Sequence, residues 1–530
     1  MMRGPFDYII EGGIVYDGTG TPGQRADVAI SGDRISAVGD LAGAAASARV
    51  DATGMAVAPG FIDAHTHSDI PALLAPLAEN RLYAGVTTEI CGNCGFSAAP
   101  VGKGQERQFF ENYEGLKAAW NTLEEYFKGL EKAGSSVNRA FLAGFGNIRR
   151  TAMGGDFDRA ANASEIDCMR GLLVEAVESG AIGMSTGLIY PPGCYAAKEE
   201  IAAVGSAIGG RGLMYASHIR SEGETLMEAL DEALFIAHES GMSLHVSHLK
   251  VNGAANWHKI DQLREWWAKR QNYGIRVTAD RYPYCAGHTG LDSLLEAWTF
   301  VGGAKEELAR LRDDRTWEKI RGELIAAHPD DAYWSSVGIG SVYAPEHKRF
   351  EGMRVSEIAR AMGLDPVDAV RALLVADETR TMAMFFSMDE SHMREIFSWE
   401  DVVVGSDSSA RSSEGPTAVG FPHPRAYGTT AKVLRQLVRA ERVLTLEEAI
   451  RRMTLRTAEI FGLKERGRLS KGEYADVVVF DAAAVSDQAT YEEPARYSTG
   501  VREVFVNGKR VFSGGKVTGE KPGRVLRHGK

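Results

Sequence analysis

An α/β fold is what this sequence predicts: a TIM-like (β/α)8 barrel with a small discontinuous β-sandwich built from both termini. Three observations lead there. Through the middle of the chain, short apolar runs alternate with long amphipathic stretches, which is the rhythm of a parallel sheet. The two ends instead read as short alternating or β-branched segments broken by Gly, Asn-Gly and Asp, the marks of strands and hairpins. Residues with metal-ligand chemistry fall where the apolar runs of the middle stop.

Taken in order, "DYIIEGGIVYDG" and "ADVAISGDRISAVGD" open the chain, and "GEYADVVVFDA" and "VREVFVNGKRVFSGGKV" close it. Small β segments this far apart share a core only if the chain returns, so residues 1–58 and 464–530 are assigned to one sandwich. Residues 59–463 form the barrel, whose strands are expected at 61–67, 86–90, 140–144, 181–185, 213–218, 243–248, 276–280 and 402–407. Between them lie helical stretches such as "GETLMEALDEALFIAHESG". The stretch 281–400 is far longer than a βα connection needs and reads as a helical insertion, a lid over the barrel mouth.

Charge and composition narrow the function. The formal net charge is -11, and the charged residues are scattered without basic stripes, which argues against nucleic acid and anionic membranes as partners. Small molecules fit better. The opening "MMRGPFDYIIEGG" has no long apolar region, and no run of about 18 uninterrupted apolar residues follows, so a cytoplasmic location is expected. Five cysteines, an odd number, fit a reduced compartment better than a disulfide framework. Oligomeric state is not readable.

The stretch "PGFIDAHTHSDI" sets two histidines one residue apart. If 61–67 is extended, Asp63, His65 and His67 project to one face, and Asp63 is either a partner that orients an imidazole or a buried structural carboxylate. An isolated H-x-H is weak, but the pattern repeats. Cys91 and Cys94 follow the second run, His218 ends the fifth, His248 the sixth and Asp407 the eighth. In a barrel these carboxyl ends meet at one face, where active sites are built. Imidazoles, a thiolate and a carboxylate make a borderline-soft donor set that suits Zn2+, in one site or two. "CGNC" also reads as a redox dithiol or half a zinc knuckle, but no second C-x-x-C accompanies it.

Over nearly its whole length the chain resembles the N-acyl-D-amino-acid deacylases, or D-aminoacylases, of the amidohydrolase superfamily. The resemblance runs through "PGFIDAHTHSD", "GVTTEICGNCGFSAAP", "GLIYPPG", "ASHIRSE", "VSHLK", "TADRYPY", "GSDSS" and "PHPRAYGT" to "GRLSKGEYADVVVFD". Most binuclear amidohydrolases bridge their metals with a carboxylated lysine after the fourth strand, and "AIGMSTGLIYPPG" has none. D-aminoacylases use a cysteine after the second strand, which Cys94 matches. The resemblance thus implies a tight zinc held by Cys94, His218 and His248, and a second, weaker or absent metal near His65 and His67. Asp407 is expected both among the ligands and as the group that moves the proton.

The implied reaction is zinc-dependent hydrolysis of an N-acyl-D-amino acid to a carboxylic acid and a free D-amino acid. Lys250, Tyr282, Tyr190 and Arg220 are candidates to receive the substrate α-carboxylate. The loop "SSARSSEGPTAVGF" after Asp407 departs from shorter family members and leaves acyl group and side chain open. A cyclic-amide hydrolase, hydantoinase-like or dihydroorotase-like, and a non-catalytic scaffold on the same fold remain as alternatives.

Overall fold

Eight parallel strands run at the eight expected places: Phe61–Asp63, Val86–Cys91, Asn138–Phe141 continued by Ala143–Gly144, Gly183–Gly187, Met214–His218, Ser243–Val246, Val277–Arg281 and Val402–Val404. They belong to a computed structural model that describes residues 5–102, 116 and 120–529. Residues 1–4 and Lys530, at the outer bounds assigned to the sandwich, lie outside the described residues. A break at Leu142 divides the third strand between a six-stranded and a four-stranded sheet. The ring closes where Ala64 N donates to Val404 O at 3.1 Å and Thr66 bridges Ser408. Strand register turns Ile62, Ile90, Ala140, Ala216 and Val403 to the inside, where they pack with Phe461 into an apolar plug. As in other barrels of this size, the interior is a filled core.

Helices form where their ends are capped. Asn162 accepts from Glu165 N while the Glu165 side chain accepts in return from Asn162 N, starting the helix Ala163–Ser179. The helix Leu226–Ser240 ends at Gly241 with φ +68°, a left-handed cap that glycine adopts without strain. Beneath the barrel mouth, buried Glu89 is bracketed by Arg81 at 2.8 Å and Arg139 at 2.7 Å, and Arg81 also pairs with Asp63 at 3.2 Å. Removing one member of such a buried network typically costs about 3–5 kcal/mol.

Both termini contribute to one nine-stranded sheet, in which Ala56–Pro59 pairs parallel to Phe6–Val15 and antiparallel to Val477–Phe480. The sheet curls until the turn at Asp33 meets the segment leading into Val477, with Ala475 N donating to Asp33 O at 2.9 Å. Ile10, Val28, Ile30, Val57, Val477 and Phe505 fill the space so enclosed. The chain's last strand, Val525–Leu526, leaves this sheet and pairs with Asn138–Phe141 of the barrel, a return that patterning did not foretell.

The insertion before the eighth strand is not purely helical, which corrects the expectation. Gly287–Gly290, Val337–Ile339 and Met382–Phe385 form a three-stranded antiparallel sheet, covered by helices including Ala304–Arg312, Asp314–Ala327 and Pro366–Ala376. Trp317, Leu324, Trp334, Phe350 and Leu373 give it a core of its own. It reaches the barrel mouth through Thr289 and His288. No helix among the described residues is long and apolar enough to cross a membrane.

Candidate metal centre

The barrel gathers its candidate ligands just past the strand ends. One ligand atom each from His65, Cys94, His248 and Asp407 lies within 4.8 Å of the others, and His218, Glu222 and His248 form a second such group. Cys94 Sγ stands 3.3 Å from His65 Nε2 and 3.5 Å from His248 Nε2. Asp407 Oδ1 lies 3.0 Å from His67 Nε2 and 3.6 Å from His65 Nε2, and its Oδ2 pairs with Arg425 at 2.8 Å. Six sequence candidates thus converge, with His248 common to both groups.

Close backbone approach makes this possible. A Cβ on Gly187, at the end of the fourth strand, would stand 2.2 Å from the Cys94 carbonyl oxygen, so only glycine lets the Cys94 loop rest there. Cys91 faces elsewhere: it is fully buried, 3.2 Å from Thr66 Oγ1, and burial pushes its thiol well up. The C-x-x-C pair is therefore divided between a structural thiol and a ligand-type one.

Electrostatics fit a bound cation. Burial alone would raise the Cys94 thiol, but the His65, His218 and His248 imidazoles hold it well below the ordinary thiol range. Burial likewise opposes charge on Asp407, yet Arg425, His67 and His65 keep its carboxyl well below the usual range. His67 is desolvated, but its bonds to Asp407 and Cys94 raise it to about 9. His218 is 5% exposed, and neither of its ring nitrogens has a hydrogen-bond partner among the described residues. A buried imidazole is seldom left this way unless a ligand completes it. Imidazole, thiolate and carboxylate donors converging at this range are the set that zinc takes.

Three residues that order this centre were missed in the sequence. Asp280 Oδ2 accepts from His65 Nδ1 at 3.0 Å and contacts His245 Nε2 at 3.1 Å, leaving His65 Nε2 turned to Cys94. Glu222 Oε1 stands 2.9 Å from His248 Nδ1 and also pairs with Lys250, whose Nζ lies 2.8 Å from the same ring nitrogen. Arg425 anchors Asp407 and lies 4.6 Å over the Tyr282 ring. Asp280 was legible in the sequence, because it stands one residue before the end of the seventh strand, as Asp407 stands just after the eighth. Glu222 in "ASHIRSE" and Arg425 in "PHPRAYG" gave no spacing signal.

Other expectations are corrected. Asp63 does not share a face with His65 and His67, because the chain bends at Ala64 and His65 and alternation stops there. Its carboxylate pairs with Arg81 instead and accepts from Ser406 N at 2.8 Å. Arg220 is engaged by groups of the protein itself. Its guanidinium is consumed by Glu232 at 2.9 Å and by the carbonyls of Cys194 and Ala196, each at 2.9 Å, so it is not placed to receive a substrate. Tyr190 packs edge-on to His218 at 5.1 Å and bonds Thr289 at 3.1 Å. Lys250 is buried beside His248, with Glu222 engaging one of its three donors and His248 Nδ1 2.8 Å from its Nζ.

Known proteins are similar to the chain over nearly its whole length. The amidohydrolase family model matches residues 48–512. An N-acyl-D-glutamate deacylase of Alcaligenes xylosoxydans xylosoxydans is 37% identical over 529 residues, 99% of this chain and 97% of its own length. A D-aminoacylase of the same organism is 36% identical over 98% of both chains. The crystal structure of N-acyl-D-glutamate deacylase from Bordetella bronchiseptica, complexed with zinc and a phosphonate mimic of the tetrahedral intermediate, superposes with a TM-score of 0.85. It is 33% identical and covers 99% of this chain and 100% of its own. With its family model, its full-length relatives and its strand-end ligands in agreement, the chain belongs to the amidohydrolase family.

Proposed function

We propose that this protein is a zinc-dependent hydrolase of N-acyl-D-amino acids that releases a carboxylic acid and a free D-amino acid. The observation that carries this reading is Cys94, a thiolate-type ligand set among His65, His248 and Asp407 at the barrel mouth, where the resemblance had implied Cys94 with His218 and His248. Cys94, His65, His248 and Asp407 would hold one ion, with His218 and His67 at its margin. Zinc bound there supplies Lewis-acid polarisation of the amide carbonyl and a lowered pKa for water.

The chain's own groups do the rest. Asp407 is held ionised by Arg425 and His67, so it is ready to take a proton from the attacking water. It then returns that proton to the departing nitrogen, without which an amine anion would have to leave. Asp280 fixes the tautomer of His65, and Glu222 and Lys250 together hold the ring of His248 at its Nδ1. Lys250, with one donor beyond those turned to Glu222 and His248, and the hydroxyls of Tyr282 and Tyr190 are the groups proposed to receive the α-carboxylate.

Metal analysis combined with N-acetyl-D- and N-acetyl-L-amino acids, read out by free amine, tests the proposal. Zinc at about one equivalent and turnover of D substrates support it. Opening of hydantoin rings in place of linear amides overturns it.

A further inference from the structure

The insertion and the loop after the fourth strand enclose a cavity of about 260 Å³. Tyr190, Pro191, Leu295 and Phe300 line its apolar part, and Asp292 and Glu307 bring two carboxyl groups. Glu307, on the helix Ala304–Arg312, is 4% exposed, and its Oε1 has no hydrogen-bond partner among the described residues. A carboxyl oxygen this buried without a donor is costly unless something completes it. Arg310, the nearby cation, is committed to the carbonyls of Thr299, at 3.0 Å, and Val301. Burial and Asp292 push Glu307 up to about 8, and burial pushes Asp292 up to about 6, so a cation that pairs with Glu307 displaces its proton to solvent. Arg150 also lines the cavity, stacked 4.8 Å from the Phe157 ring centroid.

The cavity adjoins the metal centre, because Tyr190 forms its wall and packs against His218 at 5.1 Å. We infer that it receives the side chain of the substrate's D-amino acid, and that the preferred substrates carry a cation there, N-acyl-D-lysine or N-acyl-D-arginine. This rests on the function proposed above. An apolar wall ending in acidic groups is what such a side chain fits, since its methylene stem packs while its head pairs. A side-chain carboxylate like that of D-glutamate would meet Glu307 and Asp292 as well as Arg150.

The test compares kcat/KM for N-acetyl-D-lysine with that for N-acetyl-D-norleucine, which has a stem without the charge, and for N-acetyl-D-glutamate. Wild type should favour the lysine derivative over norleucine by about tenfold or more, and Glu307→Gln should collapse that ratio by about tenfold. Asp292→Asn should lower it less. Equal values for lysine and norleucine in wild type overturn the inference, as does a preference for glutamate, which would give the cavity to Arg150. So does a ratio that survives Glu307→Gln while both values fall. If no N-acyl-D-amino acid is hydrolysed, the proposed function fails. Calorimetry with free D-lysine and D-norleucine then decides the cavity on its own: tighter D-lysine binding, lost in Glu307→Gln, supports it, and equal binding overturns it.

Discussion

Asp280→Asn is the sharpest perturbation the structure offers, because it removes a charge and nearly no volume. The carboxylate is fully buried and serves three donors: His65 Nδ1 at 3.0 Å and His245 Nε2 at 3.1 Å on Oδ2, and His248 N at 3.1 Å on Oδ1. An asparagine offers one acceptor and one donor terminus, so either orientation inverts a bond. With the amide nitrogen at the Oδ2 position, His65 must accept at Nδ1 and carry its proton on Nε2, facing Cys94 and the metal. With the nitrogen at the Oδ1 position, it opposes the backbone N–H of His248, itself beside a ligand. The first outcome costs metal affinity, and the loss of such an orienting partner typically lowers it by about 10–100-fold. That range corresponds to about 1.4–2.7 kcal/mol. The second leaves buried donors opposed and lowers stability by about 1–3 kcal/mol.

Competition with a chromophoric zinc chelator measures the affinity directly, and turnover at saturating zinc separates binding from chemistry. The expected result is weaker zinc binding with most per-zinc turnover retained. Unchanged affinity together with a large fall in kcat would refute the reasoning, since Asp280 would then act on the reaction and not on the orientation of His65.

Cys94→Ala should lose the tight zinc together with activity, whereas Cys91→Ala should keep both; elemental analysis of the two purified variants checks this, and equal damage would mean the ligand lies elsewhere in the motif. Asp407→Asn should lower kcat by about 10²-fold or more, shown by steady-state kinetics at full zinc occupancy. If zinc leaves instead while per-zinc turnover holds, Asp407 is mainly a ligand. Lys250→Met should lower kcat/KM for N-acetyl-D-amino acids by roughly 30-fold or more and affect their uncharged esters much less. A parallel fall for acid and ester would mean that Lys250 acts only by holding Glu222.

The barrel was legible because each strand-forming run is short, apolar and followed by an amphipathic stretch, and all eight appeared. The ligands were legible for a related reason: a polar residue ending an apolar run, as in "MYASHIR" or "LHVSHLK", contrasts with what precedes it. Residues whose role is set by a long-range partner were not. Nothing around Arg220 signals Glu232, and only tertiary packing decides that its guanidinium folds back onto the barrel wall. Glu222 reads as one more charge in a loop until His248, brought next to it by the sixth strand, gives it a function. The insertion misled because its three short strands are scattered among helices, and antiparallel pairing across such distances leaves no local period.

Strand alternation also explains why the ligands sit where they do. An extended strand offers each side chain only the barrel interior or its outer face, and neither direction points along the axis to the mouth. To place a donor over the axis the chain must leave the extended conformation. Cys94, His248 and Asp407 do so with φ of +53°, +37° and +50°, each two or three residues past the end of its strand. Left-handed backbone at a non-glycine residue costs on the order of 1–3 kcal/mol, so three such residues persist only because other bonds hold them. Those bonds are visible: His248 N donates to Asp280 Oδ1 at 3.1 Å, and Asp407 N donates to His65 O at 2.8 Å. His65 reaches the mouth through a bend, and His218 alone remains inside a regular strand, Met214–His218. The residues that bind Asp407 and His248 in place are thus His65 itself and the carboxylate that orients His65, so the strain of the turns and the aim of the imidazoles are set by one set of hydrogen bonds.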